Sequence, residues 1–216
     1  MTDESNLTAK IYDKISSAYA DKFNEPSDNI DEFLKLIPKG SKILDAGCGP
    51  GVDSAYMNSQ GFEVIGVDLS EKMLELARKK SPNIKFEKAD IRELDFNKST
   101  FDGILASYSL IHIPKKDIPN LIKNFLKFLK PNGVICVGIQ EGESREMFIT
   151  EPFKPDEKIF VNVISADELR ELLEKNGFTP LNEFMRKSED KDKLEFDFNK
   201  FVLIAKKEFA ARVKIQ

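Results

Sequence analysis

The sequence predicts a doubly wound α/β fold. A mainly parallel seven-stranded sheet carries helices on both faces and ends in a C-terminal antiparallel hairpin. Three observations predict it. Short apolar runs alternate with helical segments from residue 42 to residue 139, the pattern of a parallel sheet. The first run ends in Asp45 and opens into Gly47, Gly49 and Gly51, where bare backbone can meet a ligand. The second run ends in another acid, Asp68, and a glycine turn followed by such an acid is the layout of a nucleoside site.

The elements follow in order. Tyr12, Ile15 and Tyr19 recur at helical spacing, which predicts a helix over 8–24. Ser27 or Asp28 is placed to cap a second helix through Ile37, stopped by Pro38-Lys39-Gly40. Strand 42–46 leads through the glycine turn into helix 52–60, and strand 62–67 follows. Ser70 is a good N-cap for a helix over 71–80 with the apolar stripe Met73, Leu74 and Ala77. Residues 84–87 form a short third strand that runs into Ala89-Asp90. Strand 101–107 and strand 134–139 are apolar on both faces, as central parallel strands are. Between them lies helix 117–129, ended by Lys130-Pro131-Asn132-Gly133. Residues 140–160 mix charge with proline and glycine and read as a mobile excursion on the substrate side. Ser165-Ala166-Asp167-Glu168 is a capping box for a helix to Asn176, with Gly177 behind it. Strands 178–185 and 198–205, joined by the charged turn 187–193, close the sheet as a hairpin.

Composition narrows the function. The 216 residues suit a single domain, with 1–38 as an N-terminal helical cap. A net charge of −4 gives no general attraction to nucleic acid, and the lysines of 115–130 read as the solvated face of a helix. No apolar run approaches the roughly 18 residues of a membrane span, and the polar first residues are no signal peptide. Two cysteines, Cys48 and Cys136, and one histidine predict reduced thiols, a cytoplasmic protein and no metal site.

The ligand class follows from the turn. A dinucleotide pyrophosphate is held by backbone N–H groups, usually with G-x-G-x-x-G spacing. Here the spacing is G-x-G-x-G, Pro50 removes one N–H, and Asp45 would face a phosphate. These features suit a neutral or cationic ligand such as S-adenosylmethionine. An NAD(P)-dependent oxidoreductase on a related fold is the rival, and a non-catalytic S-adenosylmethionine-binding protein is a second.

Six stretches in register then carry a family resemblance. Ile43-Leu44-Asp45-Ala46-Gly47-Cys48-Gly49-Pro50-Gly51 resembles the first motif of Rossmann-like, class I S-adenosylmethionine-dependent methyltransferases. Gly66-Val67-Asp68-Leu69-Ser70 resembles the second and Ala89-Asp90-Ile91 the third. Phe101-Asp102-Gly103-Ile104-Leu105-Ala106-Ser107 with Leu110-Ile111-His112-Ile113-Pro114 resembles the fourth. Leu129-Lys130-Pro131-Asn132-Gly133-Val134 is similar to the turn before the fifth strand. Tyr12-Asp13-Lys14-Ile15 with Ala18-Tyr19 resembles the N-terminal helix of the small-molecule branch.

The resemblance implies roles. Gly47 and Gly49 let the backbone approach the methionine moiety, and Asp45 supports its amino group. Asp68 accepts from both ribose hydroxyls. Leu69 and Met73 pack on the adenine, Asp90 accepts from its exocyclic amine, and Ile91 donates a backbone N–H. Ser107 lines the methionine end, and Tyr12 and Tyr19 reach down from the first helix. Transfer from a sulfonium is an in-line displacement that needs alignment and water exclusion, with a base only for an acceptor that must lose a proton. His112 is the candidate base, or else it orders the loop before Pro114. Ala106-Ser107-Tyr108-Ser109 replaces the Asn/Asp-Pro-Pro-Tyr/Phe motif of many nucleic-acid and protein amino-methylating enzymes, which points to a small-molecule acceptor. Glu141, Glu143 and Arg145 are placed to meet a polar one.

Overall fold

The computed structural model describes residues 4–190 and 194–208. Nine strands and six helices alternate along them: α1 Glu4–Lys22, α2 Ile30–Leu34, β1 Lys42–Ala46, α3 Val52–Ser59, β2 Glu63–Asp68, α4 Glu71–Lys80, β3 Lys85–Lys88, β4 Phe101–Ser107, α5 Ile118–Phe128, β5 Leu129–Glu141, β6 Arg145–Glu151, β7 Lys154–Val163, α6 Ala166–Lys175, β8 Phe178–Arg186 and β9 Asn199–Lys207. Seven of the strands form one sheet in the order β3-β2-β1-β4-β5-β9-β8. The first five pair in parallel, and β8 and β9 pair antiparallel as the predicted hairpin. The strand order reverses between β1 and β4, so the crevice at their carboxyl ends is where such sheets bind ligands.

Each face of the sheet has its own apolar layer, as right-handed crossovers on both sides require. On one face Leu121, Ile122 and Phe125 of α5 and Leu169 and Leu173 of α6 pack with Leu44, Ile104 and Ile135. On the other, Phe33, Met57, Leu74 and Ala77 pack with Ile43, Val64 and Leu105. The caps predicted for α4 and α6 are present: Ser70 accepts from the Met73 N–H and Ser165 from the Glu168 N–H.

Three expectations are corrected. The segment 140–160 is no irregular excursion, because β6 and β7 form a two-stranded antiparallel sheet. Its β7 end is buried: Ile159, Val161 and Val163 pack with Ile11 of α1, and that apolar run outweighs the turn-forming Pro152 and Pro155. Neither Ser27 nor Asp28 caps α2, whose N-cap is Asn29 at φ 65°; Ser27 bonds elsewhere. Lastly, β5 begins at Leu129, which already pairs with Phe101 before the ladder shifts to Gly103 and Val134. Of the charged turn 187–193, Ser188–Asp190 is a short 3-10 turn and residues 191–193 lie outside the described residues. No described helix is long and apolar enough to cross a membrane.

Helix α1 lies across the top of the sheet, and a side chain fixes it there. Asp13 accepts from the Ser70 hydroxyl at 2.6 Å and from the Lys72 N–H at 3.0 Å, so it closes the N-terminus of α4, where a carboxylate is favoured.

Candidate functional site

A cavity of about 430 Å³ opens between the carboxyl ends of the strands and α1. Its floor is the glycine turn. Gly47 and Cys48 donate their N–H groups to the Val67 carbonyl at 2.8 and 2.9 Å, which ties the turn to β2. Gly47 stands at φ +85°, and a Cβ there would lie 2.4 Å from that of Ser109. Gly49, at φ +51°, would meet nothing within 4 Å, so its bare face looks into open space. Both positions therefore need glycine, one for clearance and both for conformation.

Asp68 ends β2 at the cavity wall and accepts from the Gly49 and Ser70 N–H groups, each at 2.8 Å. Each carboxylate oxygen keeps lone pairs for a ligand. Leu69 and Met73 line the wall beside it, with Met73 buried. Asp90 and Ile91 line the next stretch. Asp90 caps a 3-10 turn through the Arg92 N–H and also holds the Arg92 guanidinium, with Nη2 at 2.5 Å. Arg92 in turn reaches Asp117 at 3.2 Å.

The roof is built by side chains from distant elements. Tyr12 and Tyr19 descend from α1 and meet edge to face at 5.5 Å. The His112 Nδ1–H donates to the Phe160 carbonyl at 2.8 Å, so its Nε2 accepts from the Tyr12 hydroxyl at 2.8 Å. Burial lowers the His112 pKa to about 4. The imidazole is neutral near pH 7, with its lone pair engaged by Tyr12. Burial raises both phenol pKa values, so the two tyrosines are donors.

At the methionine end predicted from sequence, Ser27 explains its failure to cap. Its N–H and hydroxyl donate to Asp53 at 2.7 and 2.5 Å, so the Ser107 hydroxyl donates to Ser27 at 2.8 Å. The α1–α2 connection is thereby pinned over the first turn of α3. Tyr108 follows at φ 55°, a left-handed conformation that costs energy in a bulky residue and that such sites retain. Lys200 stands over its ring at 5.1 Å and pairs with Glu195, which also holds Arg186.

The structure brings Tyr12, Tyr19, Gly47, Gly49, Asp68, Leu69, Met73, Asp90, Ile91, Ser107 and His112 to this one cavity. It places Asp45 elsewhere. Asp45 is 2% exposed, behind the turn, where it accepts from the Ser54 hydroxyl at 2.5 Å. Glu141 and Glu143 also stand apart: Glu141 accepts from Asn199, and the exposed Glu143 lies 3.9 Å from Arg145. Sequence reasoning missed Ser27, Asp53, Glu151 and Phe153. Asp53 had a signal, since it follows the glycine turn in the first turn of a helix. Glu151 and Phe153 lie in the stretch 140–160 that was read as the substrate side, but nothing singled them out there, because the hairpin that carries them was not read as structure.

Acids dominate the electrostatics. Burial raises the pKa of Asp53, Asp68 and Glu151 at the cavity wall and of Asp45 behind the turn, where the charge of Asp53 adds to the shift. A cationic ligand beside the wall acids favours their charged form and relieves that cost, whereas a pyrophosphate deepens it. Three buried atoms of wall residues, Ser109 Oγ, Gln140 Oε1 and Arg186 Nε, have no hydrogen-bond partner among the described residues, as atoms that meet a ligand or water do. Cavity size, turn and acid ring all fit S-adenosylmethionine.

Comparison with known proteins agrees. The methyltransferase domain family matches residues 19–183. The putative methyltransferase YqeM of Bacillus subtilis (strain 168) is 28% identical over 172 residues, covering 74% of this chain and 67% of the relative. Phosphoethanolamine N-methyltransferase 1 of Triticum aestivum is 38% identical over 106 residues, covering 47% of this chain and 21% of that longer protein. Burkholderia thailandensis 1,6-didemethyltoxoflavin-N1-methyltransferase, solved with 1,6-didemethyltoxoflavin and S-adenosylhomocysteine, has a TM-score of 0.71 at 22% identity over 94% of this chain and 88% of that one.

Proposed function

Since the chain belongs to the methyltransferase domain family, we propose that it transfers the methyl group of S-adenosylmethionine to a small-molecule acceptor by in-line displacement. The observation that carries this reading is the acid-ringed cavity set over a phosphate-averse glycine turn. When bound, the cofactor supplies an activated methyl group, and the protein supplies position and dryness.

Asp68 binds the ribose hydroxyls with the lone pairs that Gly49 and Ser70 leave free. Leu69 and Met73 pack on the adenine, and the Ile91 N–H and Asp90 address its edge, with Asp90 shared between ligand and Arg92. Gly47 and Gly49 give backbone access to the methionine moiety, beside Ser107 and the phenols of Tyr12 and Tyr19. Asp45 acts at one remove: burial raises its pKa to about 8, so it is mostly neutral near pH 7 and braces the turn through the Ser54 hydroxyl rather than by charge. His112 is a positioning residue: it holds the Tyr12 hydroxyl against the cavity and gives up the lone pair that a base needs. Two buried thiols, Cys48 and Cys136, suit a reducing cytoplasm.

Equilibrium binding and turnover test the proposal. S-adenosylhomocysteine is expected to bind while NAD does not, and labelled methyl groups are expected to enter the small-molecule fraction of a metabolite extract. Binding of NAD alone, or of the cofactor with no transfer to any metabolite, refutes it.

A further inference from the structure

One part of the cavity wall, bordering the methionine end at Tyr19, has no assigned contact with the cofactor. At the turn between β6 and β7, Glu151 and Phe153 enter the cavity opposite α1. Glu151 is 2% exposed. Its Oε1 accepts from the Phe153 N–H at 3.1 Å, and among the described residues no lysine or arginine pairs with it. Three rings stand with it. The centroids of Tyr19 and Phe23 are 4.7 Å apart, and Phe153 lies 5.9 Å from each. A buried carboxyl without a cation is costly, and aromatic faces attract cations.

The cations of the same wall are already engaged. Arg186 and Lys200 share Glu195, and Lys22 has a partner of its own. An anionic acceptor meets paired cations here, whereas an ammonium meets an unpaired acid.

We propose that Glu151, with the rings of Tyr19, Phe23 and Phe153, is the acceptor subsite, and that the acceptor is a primary or secondary amine. The assignment rests on the methyltransferase reading above. The Glu151 carboxylate binds the ammonium and takes one proton from its nitrogen. The freed lone pair forms the new nitrogen–methyl bond as the carbon–sulfur bond breaks, and that bond's electron pair stays on sulfur. The methylated product carries the positive charge away, and Glu151 returns its proton to water. Burial, which raises the Glu151 pKa, fits it for that proton.

The test uses the full chain with saturating S-adenosylhomocysteine and a set of alkyl and aralkyl amines, each matched to the alcohol and carboxylate of the same skeleton. Calorimetry is expected to show at least one amine bound tenfold or more tighter than both its matched partners. Glu151→Gln is expected to reduce that preference to threefold or less, and Phe153→Leu to lower it several-fold. No amine preference, or one that survives Glu151→Gln in a folded variant, overturns the subsite. So does a Glu151→Gln variant that loses affinity only for the sulfonium cofactor, since Glu151 is then the counter-ion of the sulfonium. Failure of S-adenosylhomocysteine itself to bind overturns instead the underlying function, so the two failures are distinct.

Discussion

The floor and the roof of this cavity are built by different means. The floor comes from Gly47 to Ile91, consecutive strand ends whose backbone does most of the holding: Gly47 and Cys48 on the Val67 carbonyl, Gly49 and Ser70 on Asp68. The roof is held by single side-chain bonds between remote residues: Tyr12 with His112, Ser27 with Asp53 and Ser107, Asp13 with Ser70. A backbone-held floor tolerates little change and keeps one ligand. A roof of single bonds, each contributing about 1 kcal/mol, can be rebuilt around another ligand while the sheet stays fixed.

The hardest blow to that contrast is a floor substitution. Gly47→Ala sets a Cβ against Ser109 at a positive φ, and it is expected to cost about 3 kcal/mol of stability and at least a hundredfold in S-adenosylhomocysteine affinity. Affinity within threefold of the parent would show that the floor is not backbone-built. Next comes a roof effect that depends on pH. His112 falls from 6.5 to about 4 on folding, so the unfolded chain binds more protons in that window. Its contribution is complete above about pH 6.5 and is lost as the pH falls toward 4, by up to roughly 3 kcal/mol. Denaturation of the parent and His112→Gln across that range isolates it, because the carboxylates are common to both. Parallel pH curves would remove the buried neutral imidazole. Asp68→Ala is expected to weaken S-adenosylhomocysteine by about 1–3 kcal/mol through lost ribose hydrogen bonds; unchanged binding in a folded variant refutes that role. The smallest change is Tyr12→Phe. It deletes one roof bond and is expected to cost about 1 kcal/mol of stability. A loss as large as that of Gly47→Ala would mean that roof and floor are equally rigid.

Legibility in the sequence divides along the same line. Strand, turn and helix signals from residue 42 to residue 139 were enough to read the succession of strands and helices in the sheet's parallel part, because hydrophobic periodicity and glycine chemistry act over a few residues. Asp68, Asp90 and Ser107 were placed for the same reason, as ends of recognisable strands. The β6–β7 hairpin was not legible. Its exposed face alternates with charge, Pro152 and Pro155 interrupt it, and its buried face has meaning only against distant residues such as Ile11 and Tyr12 of α1.

By itself, then, the sequence determined the doubly wound sheet, the glycine turn's aversion to phosphate, and the acids at the strand ends. These follow from local backbone preference and from charge carried on neighbouring residues. The tertiary structure alone decided that Ser27 serves Asp53 rather than α2, that Asp45 stands behind the turn, that His112 gives its lone pair to Tyr12, and that Glu151 faces the cavity among aromatic rings. Each is a contact between residues far apart in the chain. Only the closing of the fold fixes which partner a polar side chain meets once water is removed.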